Sequence, residues 1–165
     1  MVEQLMRFIC LLGTLMIAPG CQYDPHAHLY TTEKPKAEAL VGYYKLTRQT
    51  VAKGEMPELL KDMCSVELRS DGSFSATNLP AWVDGFPGTN FFSTLVSGSG
   101  KWRVGSVGSI DNGGPPLKTH WGIYFDGVSN KMESAGLTGS NSPYGLVFTI
   151  GDPDSGEAMF FEKTK

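Results

Sequence analysis

Few side chains in this chain stand in spacings that do chemistry. Asp152, Asp154 and Glu157 in GDPDSGE bring three carboxylates close together, as a calcium loop would. Calcium takes six or more oxygens, however, and the helix–loop–helix calcium pattern fails here at Ser155 and at the terminal Glu spacing. Gly, Pro and Asp are also what a tight hairpin needs, and a turn is the expectation. Asp24, His26 and His28 could clasp a transition metal, but they lie in a polar stretch with nothing to orient them. His120 stands alone on the polar side of an alternating segment and reads as a surface or lining residue. Gly98-Ser99-Gly100-Lys101 looks like a fragment of a phosphate loop. That motif needs Gly where Leu95 stands and Ser or Thr where Trp102 stands. No Gly-x-Ser-x-Gly nucleophile elbow occurs. Cys64 carries no nucleophile signature and is expected to pack as a small hydrophobe. The expectation is therefore a protein that is not an enzyme, with no catalytic residues, metal or cofactor.

The N-terminal 20 residues have a different character. Residues 8–18 (FICLLGTLMIA) form an apolar run of eleven. That is too short to span a bilayer, which takes about 20 residues, and it is the length of a secretory h-region. Small residues and then Cys follow, as Ala18-Pro19-Gly20-Cys21. Starting at Met6 rather than Met1 would remove Glu3 and leave Arg7 alone in the n-region, which fits a signal peptide better. The stretch Ile17-Ala18-Pro19-Gly20-Cys21 resembles the lipobox of bacterial lipoproteins. This resemblance implies removal of residues 1–20 as a signal peptide, a diacylglycerol thioether on Cys21 and acylation of its freed amine, palmitate-type chains included. Two or three chains anchor stably where one would be marginal. It also implies a cell-envelope location. In a cell with two membranes, Gln22 after the lipidated Cys, rather than Asp, points to the periplasmic face of the outer membrane.

The elements that follow must fold without disulfides. Cys10 would leave with the signal peptide and Cys21 would carry lipid, so Cys64 is the one thiol left. Net charge is -3 and there is no basic stripe, which argues against a nucleic-acid partner. Residues 22–39 (QYDPHAHLYTTEKPKAEA) are polar, hold two prolines and show no period. With Cys21 they read as a lipidated flexible tether, residues 21–39, of roughly 20–25 Å mean span, ahead of a domain at 40–165. Within it, Val41-Gly42-Tyr43-Tyr44-Lys45-Leu46 reads as a first strand. Residues 56–63 read as a short helix with Pro57 and Glu58 in its first turn. Val66 and Leu68 alternate on a strand that turns at Asp71-Gly72 and returns through Phe74. Residues 101–104, 117–126, 144–150 and 157–163 complete at least seven strands. Twenty glycines and ten prolines separate these runs. The expected fold is all-β: an antiparallel meander closing into a small barrel or a sandwich, with one short helix.

Gly42-Tyr43-Tyr44, Asp71-Gly72-Ser73-Phe74 and Gly98-Ser99-Gly100-Lys101-Trp102 together resemble the domains of lipocalin-like bacterial lipoproteins. Tyr44 stands where such domains usually have Trp. The resemblance covers residues 40–163 and implies a barrel able to hold an apolar ligand. Residues 80–100 read as a long Gly- and Pro-rich loop carrying Trp82, Phe86, Phe91 and Phe92. These rings would either plug one end of the barrel or form a ligand lid or partner patch. Two functions follow as expectations: a membrane-anchored binding module for an apolar ligand or envelope partner, or a structural and interaction lipoprotein whose barrel is filled.

Overall fold

The computed structural model describes residues 24–51, 62–80, 95–111, 116–127 and 133–164. Eight strands follow one another in chain order: β1 (Gly42–Gln49), β2 (Ser65–Leu68), β3 (Ser73–Pro80), β4 (Leu95–Ile110), β5 (Lys118–Asp126), β6 (Ser134–Thr138), β7 (Gly145–Thr149) and β8 (Ala158–Lys163). Each pairs with the next, antiparallel. β8 returns to β1, with Tyr44 opposite Lys163 and Leu46 opposite Phe161. That last pairing decides between barrel and sandwich. The sheet is a closed eight-stranded barrel, which leaves none of its strands as an open sheet edge.

Strand alternation sends one face of every strand inward. Tyr44 and Leu46, Val66 and Leu68, Phe74 and Ala76, Trp102, Ile123 and Phe125, Ala135 and Leu137, Leu146 and Phe148, and Met159 and Phe161 belong to a single buried cluster. Four rings link β3 to β8 through this interior. Phe74 meets Phe125 at 4.9 Å between centroids, Phe125 meets Phe148 at 6.1 Å, and Phe148 meets Phe161 at 5.4 Å. Cys64 lies fully buried beside them, as its reading as a small hydrophobe requires.

Two strands differ from the sequence reading. β4 begins at Leu95, so the Ser-Gly-Ser-Gly run is strand and not loop. Gly100 belongs in that strand because the Asp126 carbonyl oxygen would lie 1.7 Å from a Cβ there. Glycine here marks a close backbone approach rather than a turn. β6 (SAGLT) is not expected from the sequence, because Gly136 interrupts an already short apolar run. The helix expected at residues 56–63 falls mostly outside the described residues. The helix that is described, α1 (Ala37–Leu40), lies earlier in the chain, and its Leu40 is fully buried. The Tyr44 hydroxyl donates to the Leu40 carbonyl at 2.7 Å and the Lys163 ammonium donates to that of Ala39 at 3.0 Å. These bonds hold α1 to the start of β1 and the end of β8.

The largest correction concerns residues 24–40, expected to lie mostly in a flexible tether. They form a strap across the outside of the barrel. A 3-10 turn at Ala27–Leu29 leads to an antiparallel bridge between Tyr30 and Thr138. The Thr31 amide then donates to Leu137 at 2.9 Å, and the Trp121 amide donates to Thr31 at 3.0 Å. Polar composition misleads here: the strap binds through backbone groups and a few rings, which apolar periodicity does not register.

Candidate functional site

The most elaborated surface of the described residues is the outer face of β5–β8 beneath this strap. Outward positions there are unusually small or apolar: Gly122 on β5, Gly136 on β6, Val147 on β7, and Ala158 and Phe160 on β8. Val147, Ala158 and Phe160 form a second buried cluster, covered by Leu29 and Tyr30. A barrel face in water would be polar. This one is apolar because the chain's own N-terminal segment lies on it.

His120 sits at the centre of the contact. Its imidazole stacks on Tyr30, with centroids 3.8 Å apart and planes within 8°, and its Nε2–H donates to the Leu137 carbonyl at 3.3 Å. Gly136 supplies the slot. A Cβ at Gly136 would lie 2.5 Å from Cε1 and 2.6 Å from Nε2 of His120. Burial disfavours the charged ring and holds the His120 pKa below its usual value, against the Leu137 hydrogen bond and the nearby Asp24 carboxylate. His120 is thus a buried packing residue, 8% exposed, and not the surface or lining residue expected of a polar strand face.

Asp24 and His26 fasten the start of the strap. The Asp24 carboxylate accepts from the Tyr30 hydroxyl at 2.6 Å and from the His26 amide at 2.8 Å. Burial, with the Asp24 bond next, raises the Tyr30 pKa. The His26 Nε2–H donates to the Gly156 carbonyl at 2.8 Å, and its ring meets the edge of Phe160 at 5.0 Å. No family model, curated protein or solved structure matches the chain.

Beside the strap runs a groove of about 520 Å³, with Tyr30, Arg48, Thr138, Ser140, Phe160 and Glu162 among its walls. The Arg48 guanidinium lies 4.0 Å over the Phe160 ring, so the aromatic floor is already covered. The carboxylates expected to form a turn do so. Asp152 caps a 3-10 turn at Pro153–Ser155 by accepting from the Asp154 amide, and Gly156 closes it at φ 66°. Among the described residues no group of three His, Cys, Asp or Glu side chains converges as metal ligands would. The Cys64 thiol donates to Asn78 at 2.9 Å, and burial pushes its pKa up to about 11. It therefore stays protonated at neutral pH, unlike a reactive thiolate. Every buried side-chain polar atom of the described residues has a partner.

Of the residues singled out by sequence, Cys21 and the loop rings Trp82, Phe86, Phe91 and Phe92 lie outside the described residues. The structure instead brings together Asp24, His26, Tyr30, His120 and Phe160. In the sequence Asp24 and His26 group with His28 and not with His120, and nothing singles out Tyr30 or Phe160. One signal is available: Gly122 inside the alternating run 117–126 implies that something approaches the backbone closely there.

Proposed function

We propose that the chain is a lipid-anchored envelope protein whose barrel is a filled scaffold, acting through its outer surface on an envelope partner. The anchor is the lipid on Cys21 and the location is the cell envelope, on the periplasmic face of the outer membrane where there are two membranes. One observation carries the choice of scaffold over carrier: the phenylalanine chain through the interior, Phe74 to Phe125 to Phe148 to Phe161. Eight strands enclose a space that side chains can just fill, or that holds one small ligand if they are kept small. A carrier for an apolar molecule needs several hundred Å³ of space. Here large inward side chains from all eight strands are buried against one another.

Two measurements test this reading. Fatty-acid labelling should mark the wild type and be lost in Cys21→Ser. Titration of the purified protein with a long-chain fatty acid and with an environment-sensitive apolar dye should give no saturable one-to-one binding. Saturable binding that Phe148→Trp abolished would put the ligand inside the barrel and restore the carrier reading. Label retained in Cys21→Ser would remove the anchor.

A further inference from the structure

The length of chain between the lipidation point and the barrel is short. Asp24 is the first described residue of the strap, and three peptide units separate it from Cys21, a reach of at most about 11 Å. Asp24, Pro25 and His26 are seated at one end of the barrel, on the β7–β8 turn. His26 bonds the Gly156 carbonyl at 2.8 Å, and a Cβ on Gly156 would lie 2.7 Å from Pro25. The Thr50 hydroxyl just beyond β1 donates to the same carbonyl at 2.5 Å. From there the strap runs away from that end, bonds β5 and β6 through Thr31, and finishes in α1 at the opposite end.

From this we infer that the β7–β8 turn end of the barrel is a lipid-facing surface, seated at the headgroups, and that the β2–β3 hairpin end points away from the membrane. The inference rests on lipidation of Cys21. A thioether-linked diacylglycerol keeps Cys21 at the headgroup level, and about 11 Å of chain cannot carry the turn far from it. The β2–β3 hairpin stands roughly 20 Å further out, from the eight residues of β3 tilted in a barrel. The turn exposes Asp152 and Asp154. Two carboxylates do not enter a hydrocarbon layer, so the contact is a seat among headgroups and not an insertion. A partner in the aqueous space meets the other end, where Arg69, Asp71 and Lys101 are exposed.

The test uses the full lipidated protein in phosphatidylcholine vesicles that carry a short-range nitroxide quencher on the headgroup. A fluorophore is placed on Asp154→Cys or on Ser70→Cys, both exposed positions; buried Cys64 is left in place. Fluorescence at 154 should be quenched several-fold more than at 70. A flexible insertion between Tyr23 and Asp24 should erase most of that difference. Equal quenching at the two sites, or stronger quenching at 70, would overturn the orientation. So would a difference that survived the insertion, since the short tether would not be its cause. Failure of the unlabelled wild type to float with vesicles would remove the anchor itself, and this inference with it.

Discussion

Gly136→Ala adds one methyl group on the outer face of β6, directly against His120. In a strand with room, this change reduces the freedom of the unfolded chain and stabilises by about 0.4–1 kcal/mol. Room is lacking here. The new Cβ would stand 2.5 Å from His120 Cε1 and 3.0 Å from Val147 Cγ1, where carbon contacts prefer about 3.5–4.0 Å. The imidazole must move by about 1 Å to restore that spacing, which misaligns its bond to Leu137 and shears the stack on Tyr30. Overpacking of this kind costs about 1–3 kcal/mol, so the net effect should be destabilising by about 1–2 kcal/mol. In a His120→Ala background the two tightest contacts are gone and Val147 at 3.0 Å remains, so the same Gly136→Ala change should cost at least about 1 kcal/mol less than in the wild type. Urea unfolding of the wild type, both single variants and the double variant gives the coupling energy directly. Equal costs of Gly136→Ala in both backgrounds would refute the reasoning, because the slot would then not be what His120 occupies.

Two further outcomes follow from the same packing. The His120 pKa is depressed in the fold, so as pH falls below the free value of about 6.5 the unfolded chain binds the proton first. The stability from the neutral ring is full above that pH, falls as pH drops below it, and levels off under the folded-state pKa. His120→Gln should flatten this region of the stability–pH curve, and identical curves in urea titrations from pH 8 to pH 5 would contradict it. Phe148→Ala removes a ring that is 4% exposed from the middle of the interior chain, and should cost about 3–5 kcal/mol. A loss under about 1 kcal/mol in the same assay would mean that the interior is not close-packed at Phe148.

Legibility from sequence follows periodicity closely. β2, β5, β7 and β8 alternate apolar and polar residues or carry short apolar runs, and Asp71-Gly72 announces its own hairpin, with Gly72 at φ 75°. The all-β meander is therefore visible. Closure is not, because the pairing of Leu46 with Phe161 joins strands 115 positions apart and leaves no local mark. The strap is hidden for a related reason. Its hold comes from backbone bonds of Thr31 and from the rings of His26 and Tyr30, each one a polar residue in a polar stretch. His120 shows the same limit: its side of β5 reads correctly as outward, and nothing in its neighbours says that outward there means covered. The glycines are the stronger clue. Gly100, Gly122 and Gly136 sit in strands where backbone or side chains pass within 2.6 Å of an absent Cβ, whereas in the sequence such residues pass for loop signals or breaks.

The strap also sets the order in which the molecule would give way under load. A pull through the N-terminus reaches Asp24 on the Tyr30 hydroxyl first, with His26 bonded to Gly156 and set against Phe160 just behind it. It next reaches the Tyr30 stack and bridge, then the Thr31 bonds to β5 and β6, and only then α1 with Leu40 in the core. These attachments lie one after another along the chain and release in succession. The barrel's strand ladders, loaded side by side, are spared until the strap has come free. The strap therefore behaves as a mechanical fuse: it lengthens the N-terminal connection under tension while the barrel keeps its shape.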